Sequence, residues 1–273
     1  MGGPSADSSK DGVKDFWEQT PCGTRGIEAD EGSRAFFDRI EREREEREPF
    51  IARFARFGER RGQRVLEVGI GAGTDFVRFA RAGARLSGVD LTDHAVELVR
   101  RRLALEGLEA DVRRADVEHL PFPDGAFDFV YSWGVIHHTP DPARAAAEIV
   151  RVCRPGGEIC VMVYHRHSIV ALQCWLLNGL LRARPWRSLT DVIAHHVESP
   201  GTHAYSLEEA RGLFPGLERL QVTPVATVYD VRLTRSLSLR PLLAIMPNRL
   251  GWFLVVRGFK PSAAGRVEAA GAA

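Results

Sequence analysis

The sequence predicts an α/β fold, a three-layer sandwich in which a mostly parallel sheet of about seven strands is covered by helices on both faces. Two observations carry that prediction. Between Arg64 and Tyr164 short apolar runs alternate with segments of helical period, the pattern of βαβ units. Within that stretch a glycine turn, Gly69-Ile70-Gly71-Ala72-Gly73, joins the first strand to the helix after it.

In chain order, strands are expected over residues 64–68, 85–89, 110–114, 126–131 and 158–164, and helices over 74–82, 93–106 and 142–154. Arg154-Pro155-Gly156-Gly157 supplies stop residues between the last of these helices and the fifth strand. After Tyr164 the alternation lapses for about fifty residues, too long for a bare loop. A helical cap inserted after strand five is therefore expected over 165–216, with helical pieces near 169–181 and 206–213. Strands over 218–228 and 252–259 return the chain to the sheet, and Pro224 marks an edge or a bulge.

Ahead of the first strand, Phe36, Phe37, Ile40, Phe50, Ile51 and Phe54 fall at helical spacing behind Ser33, a suitable N-cap. The charged run at residues 41–48 reads as a solvated helix face. The organisation that follows is a disordered N-terminus at 1–15, an N-terminal lid and helix at 16–60, a core at 61–164, a cap at 165–216, C-terminal core strands at 217–260 and a disordered tail at 261–273.

The chain has 273 residues and a formal charge of +1, from 37 Lys and Arg against 36 Asp and Glu. That balance removes the general phosphate attraction of a nucleic-acid binder, so no nucleic-acid partner is expected. Cys22, Cys153, Cys160 and Cys174 form no CxxC pair and read as reduced thiols in a cytoplasmic protein. The first residues lack the apolar core of an export signal, and the apolar stretches near 169–181 and 242–256 are interrupted by polar residues. No membrane span is expected, and nothing in the composition specifies an oligomeric state.

The chemistry sits at the strand ends. Glu67 ends the first strand beside the glycine turn, where small residues let a ligand press against backbone near a helix N-terminus. The spacing is GxGxG, with Thr74 where a dinucleotide turn carries its third glycine. Asp90 ends the second strand, where a carboxylate can accept both hydroxyls of a ribose. Asp116 follows the third and can accept from an adenine amino group. Three acids at successive strand ends favour a ligand, because open α/β sheets bind at the carboxyl ends of their strands.

Glu67-Val68-Gly69-Ile70-Gly71-Ala72-Gly73, Gly88-Val89-Asp90, Ala115-Asp116, Leu120-Pro121-Phe122, Phe127-Asp128 and Arg154-Pro155-Gly156-Gly157 together resemble the class I S-adenosylmethionine-dependent methyltransferases. Val135-Ile136-His137-His138-Thr139-Pro140-Asp141-Pro142 is similar to their ubiquinone/menaquinone-biosynthesis-like branch. The resemblance covers residues 60–165 and implies a Rossmann-like core with S-adenosyl-L-methionine as cofactor. It implies that Glu67, Gly69, Gly71 and Gly73 hold the methionine moiety and Asp90 the ribose, with Leu91 against the adenine. It further implies that Asp116 takes the adenine amino group, Val117 packs on the ring, and Ser132 and Trp133 lie near the amino-acid end.

Methyl transfer requires an aligned acceptor, exclusion of water and, for some acceptors, removal of a proton. His137, His138, Tyr164 and His165 stand near the ends of strands four and five and are the candidates for that catalytic step, with structural hydrogen bonding as the alternative. The cap histidines His165, His167, His195, His196 and His203 match no zinc spacing, so no metal is expected. Phe16 and Trp17, followed by Pro21-Cys22-Gly23-Thr24, form either a lid or an aromatic staple. Trp175, Leu176, Leu177, Leu180 and Leu181 either line an apolar acceptor pocket or pack in the core. The expected enzyme methylates an oxygen, carbon or nitrogen of a small, partly apolar molecule of natural-product or quinone-like type. The alternatives are an RNA- or protein-modifying methyltransferase and a noncatalytic cofactor-binding module.

Overall fold

Side-chain alternation along the strands decides where the core and the site lie. The computed structural model describes residues 10–231 and 240–262. Helices α1 (Lys10–Gln19), α2 (Arg34–Arg47) and α3 (Ile51–Ala55) precede β1 (Arg64–Val68). Then come α4 (Thr74–Arg81), β2 (Arg85–Asp90), α5 (Asp93–Glu106), β3 (Asp111–Arg114), β4 (Phe127–Trp133), α6 (Pro142–Val152) and β5 (Cys153–Tyr164). The cap holds α7 (Ile169–Asn178), α8 (Leu189–His196) and α9 (Leu207–Gly212), and β6 (Glu218–Val225) and β7 (Phe253–Phe259) close the sheet.

The seven strands form one sheet in the order β3-β2-β1-β4-β5-β7-β6. The first five pair in parallel, and β7 runs antiparallel to both of its neighbours. Strand order reverses at β1, which lies between β2 and β4, and such a switch point opens a crevice at the carboxyl ends. One apolar layer takes Val65, Phe129, Tyr131, Trp133, Met162, Tyr164 and Phe253. The other takes Leu66, Val68, Val130, Ile159, Val161, Val163 and Leu254. Because successive side chains point to opposite faces, Glu67, Trp133 and Tyr164 share the first face. The site is built on that face.

Local sequence explains the helix ends. Ser33, Ser168 and Ser188 each accept from a backbone N–H of the helix they precede, and Ser206 with Glu209 makes a reciprocal capping box. Asp141 caps α6, with Pro142 in its first turn. Pro224 lies on the edge strand β6, as its missing N–H requires.

Several expectations need correction. Lys10 to Asp15 fall within α1, inside the segment expected to be disordered, because Val13 is buried and Lys10 is ion-paired; residues 1–9 and 263–273 lie outside the described residues. The helical spacing from Phe36 to Phe54 belongs to two helices, since Pro49 cannot continue α2. The charged run is not simply a solvated face: Glu48 is buried, Arg44 reaches Asp75, and Glu41 binds Arg81 and Arg102. The Arg154-Pro155-Gly156-Gly157 stop lies within β5 as an irregularity, because Cys153 already pairs with Phe127 before the register resumes at Glu158. The cap also holds α8, which went unforeseen.

Candidate functional site

Two cavities open at the carboxyl edge and share a wall. The first, about 110 Å³, is a cleft along the ends of β1, β2 and β3, lined by Gly69, Gly71, Asp90, Leu91, Asp116 and Val117. Its outer wall is the N-terminal segment, through Lys10, Val13, Trp17, Pro21 and Cys22. Gly69 has φ +76°, and a Cβ there would stand 2.2 Å from Cγ2 of Val135. Only glycine fits that turn.

Asp90 organises the cleft. One carboxylate oxygen accepts from the Gly71 N–H at 3.0 Å, and the other accepts from the Thr92 N–H at 3.0 Å and its hydroxyl at 2.7 Å. Thr92 in turn caps α5, so the acid, the glycine turn and the helix are one unit. Burial pushes the Asp90 carboxyl upward, against these donors. At the far end Lys10 Nζ lies 2.5 Å from both Asp116 and Glu118. Burial opposes it, but Lys10 holds both carboxyls below their ordinary range. Glu118 also accepts from the Thr139 hydroxyl and the Asp141 N–H, tying the loop after β4 to the lid. Glu18 fastens the lid's other end by accepting from the N–H groups of Asp93 and His94.

Glu67 tests whether the expected cofactor fits. It is 4% exposed and its Oε2 has no hydrogen-bond partner. Burial, reinforced by Asp75, pushes its carboxyl well above the usual range. A buried acid beside a glycine turn is relieved by a cation, and the ammonium of S-adenosylmethionine supplies one. Asp116 and Glu118, which now accept from a lysine, suit an adenine amino group. The residues fit the cofactor.

The second cavity, about 290 Å³, lies on the same sheet face, with aromatic walls from Trp133, Tyr164, Tyr229, Trp252 and Phe253. Its polar groups are Arg44, Glu48, Glu67, Asp75 and Glu198. Glu48 is answered by the Trp133 N–H at 3.2 Å, the Tyr229 hydroxyl at 3.0 Å and the Arg44 guanidinium at 3.2 Å. Gly69, Gly71, Trp133 and Gly134 line both cavities.

At the junction, His138 Nε2 stands 3.1 Å from Oε2 of Glu198, and the Tyr164 hydroxyl donates to that oxygen at 2.7 Å. His138 Nδ1 lies 2.8 Å from the Ser199 hydroxyl and 3.0 Å from the Thr202 hydroxyl. The Thr202 hydroxyl donates to the Ser199 carbonyl at 2.7 Å, so its oxygen accepts from a protonated Nδ1, while Ser199 can donate to a bare one. Desolvation by the cavity walls opposes ionisation of Glu198, whose side chain stays 41% exposed, but His138 and Tyr164 outweigh it and hold the carboxyl below its ordinary range. Glu198 itself has φ +51°, a left-handed backbone rarely adopted by a residue with a side chain.

Of the residues singled out in the sequence, Glu67, Gly69, Gly71, Asp90, Leu91, Asp116, Val117 and Trp133 line the cavities. Gly73 instead gives room to α5, since a Cβ would meet Val99 at 2.8 Å. Ser132 is buried and lines neither cavity. Among the catalytic candidates, His138 and Tyr164 meet at Glu198. His137 is fully buried, its ring tilted 42° against the Tyr164 ring with centroids 4.0 Å apart, and burial pushes its imidazole well below the ordinary pKa. His165 turns away and bonds the Gly251 carbonyl. Burial pushes the Tyr164 phenol up, so it donates as a neutral group. Donor atoms of His137, His138 and Glu198 lie within 4.8 Å of one another, a grouping the cap histidines do not make among the described residues. Leu176, Leu177, Leu180 and Leu181 line neither cavity and stand exposed. Reading the sequence missed Lys10, Arg44, Glu48, Glu118, Glu198 and Tyr229. None carries a spacing signal, and only the fold brings them to the carboxyl edge.

Residues 66–161 match the family model described as a methyltransferase domain. The chain is 42% identical over 105 residues to an uncharacterized protein of Mycobacterium tuberculosis, a match that spans 38% of each chain. It is 35% identical over 169 residues to a phosphatidylethanolamine N-methyltransferase of Cereibacter sphaeroides, covering 61% of this chain and 75% of that one. A solved S-adenosylmethionine-dependent methyltransferase from Thermotoga maritima shares the fold at a TM-score of 0.52 and 22% identity, over 91% of this chain and 99% of that one. With the glycine turn, the strand-end acids and the cleft they line in place, the chain belongs to the class I S-adenosylmethionine-dependent methyltransferases.

Proposed function

We propose that this protein transfers a methyl group from S-adenosylmethionine, seated along the first cavity with its methionine end reaching Glu67, to a small, partly apolar acceptor held between the aromatic walls of the second cavity. The observation that carries the reading is the shared boundary: Gly69, Gly71 and Gly134 line both cavities together with Trp17, Cys22 and Trp133, so donor and acceptor lie side by side across it. The cofactor, when bound, supplies an already activated methyl group. What remains for this chain is to align the acceptor, exclude water and take up a proton.

The aromatic walls bury an apolar ring or chain, while Arg44, Glu48 and Glu198 orient its polar end. Trp17 and Cys22, on the lid, close both cavities from outside. Glu198, ionised and facing the acceptor cavity, accepts the proton of an acceptor hydroxyl or ammonium. His138 Nε2, facing the same carboxylate oxygen, shares it, while Nδ1 keeps its own hydrogen on the Thr202 oxygen. Tyr164 holds the carboxylate in place as a neutral donor.

Mass spectrometry of a cell extract incubated with the protein and a methyl-labelled cofactor tests the reading. A small-molecule species gaining the label is expected; no saturable cofactor binding by the purified protein would defeat the assignment. Label appearing only in RNA or protein would move the acceptor to a macromolecule.

A further inference from the structure

Two stretches of this chain carry no carboxylate. Residues 166–190 and 231–259 contain nine arginines and no Asp or Glu, although the whole chain has 36 acids. The described parts of the same two stretches hold most of the exposed apolar surface. Of the eleven large apolar side chains that stand exposed among the described residues, nine lie within 172–186 and 242–250, and Leu181, Trp186 and Ile245 are 75%, 78% and 78% exposed.

The fold brings the two stretches to one edge. The first leaves the carboxyl end of β5, and the second enters β7, whose Phe253 pairs with Tyr164 at that same end. Asp230 accepts from the Trp252 N–H at 3.1 Å, and the backbone of Val170, at the start of α7, faces the same carboxylate. Both stretches therefore grow out of the walls of the second cavity, to which Tyr164, Tyr229 and Trp252 belong.

We propose that this apolar, arginine-bearing edge docks on an anionic lipid bilayer. Leucine, isoleucine and tryptophan enter the interface while Arg182, Arg184 and Arg249, all exposed, meet the headgroup phosphates. No described helix is long and apolar enough to cross a membrane, so the contact is peripheral. Charge decides against a symmetric pairing of this edge with a second copy of the chain, because the exposed Arg182, Arg184 and Arg249 would face one another. Single-stranded RNA is disfavoured because its bases need stacking platforms, and the exposed side chains are aliphatic apart from Trp186. Resting on the methyl-transfer reading, one consequence is that an apolar acceptor can pass from the bilayer toward the cavity with little exposure to water.

Co-sedimentation of the full chain with vesicles, either phosphatidylcholine alone or equal parts phosphatidylcholine and phosphatidylglycerol, tests the docking without any activity assay. Binding to the anionic vesicles is expected to be on the order of a hundredfold tighter than to the neutral ones and to weaken with salt. Arg182→Glu with Arg184→Glu should remove that preference. Leu181→Glu with Trp186→Glu should abolish sedimentation while cofactor affinity, which reports the fold, changes by less than about twofold. Ile245→Glu provides an independent variant on the second stretch. Absence of sedimentation overturns the proposal, whether light scattering then shows a dimer or RNA binds in its place. Cofactor binding is measured separately, so failure of the docking leaves the catalytic reading intact.

Discussion

His138 Nε2 and Glu198 Oε2 stand 3.1 Å apart, which joins the loop after β4 to the residues following α8 at the meeting point of the two cavities. Replacing either by Gln keeps the volume and removes the proton acceptor. His138→Gln and Glu198→Gln are each expected to lower kcat by on the order of a hundredfold to a thousandfold, with cofactor affinity unchanged within about twofold. Steady-state kinetics with calorimetry checks both halves. Since Glu198 is held below the ordinary carboxylate range, the wild-type rate should persist into acid before the carboxylate protonates. A pH–rate profile on which Glu198→Gln leaves the acid limb unmoved would assign the proton step elsewhere.

Asp90 binds the glycine turn, Thr92 and, in the proposed complex, the ribose. Asp90→Ala should weaken cofactor binding by about a hundredfold or more, since charge-assisted hydrogen bonds are worth about 1.5–3 kcal/mol each. Calorimetric titration reads the loss, and methyl labelling should vanish with it. Full activity in this variant would sink the assignment of the cleft.

Lys10 fastens the lid through Asp116, a pair whose side chains remain 34% and 25% exposed, and through Glu118, which keeps its Thr139 and Asp141 donors without the lysine. Such a pair contributes under about 1 kcal/mol to stability, so Lys10→Ala should barely move the melting temperature. Cofactor association and release should both become faster because α1 loses its anchor over the cleft. Stopped-flow fluorescence of Trp17 is the natural readout, and unchanged rates would mean that the lid opens elsewhere.

Asp230 carries a pH signature of its own. Burial raises its carboxyl from 3.8 to about 6 despite donors from Thr227 and Trp252. A raised folded pKa means that the folded state holds a proton the unfolded chain has released, so this group costs stability as pH rises between those values. The cost approaches about 3 kcal/mol above pH 6. Asp230→Asn should therefore gain on wild type, in denaturant midpoint, as pH is taken from 4 to 7. A constant difference across that range would contradict the shift.

The core was legible because its physics is periodic. Runs such as Val65-Leu66 and Phe129-Val130 alternate between two faces, and the glycine turn and the strand-end acids follow from the same alternation. The acids of β1 and β2 were foreseeable because a βαβ unit fixes where a strand must end. Glu198 and Glu118 were not, since each owes its place to loops whose course no local pattern specifies. The charged run at 41–48 misled for a related reason: a helix rich in Arg and Glu reads as solvated, yet Arg44 and Glu48 face each other's counter-charges in a cavity. The leucines of α7 misled in the opposite direction, since apolar composition alone does not distinguish a pocket wall from an exposed face.

Because glycine backbone makes up much of the wall shared by the two cavities, the halves of the site are separable by engineering. The donor side is written in the first four strands; the far side of the acceptor chamber is contributed by α2, the stretch around Tyr229, and Trp252 with Phe253. Selectivity can thus be redrawn at Tyr229 or Trp252 while the methyl donor keeps its seat, and libraries aimed at new acceptors should be confined to those distant walls.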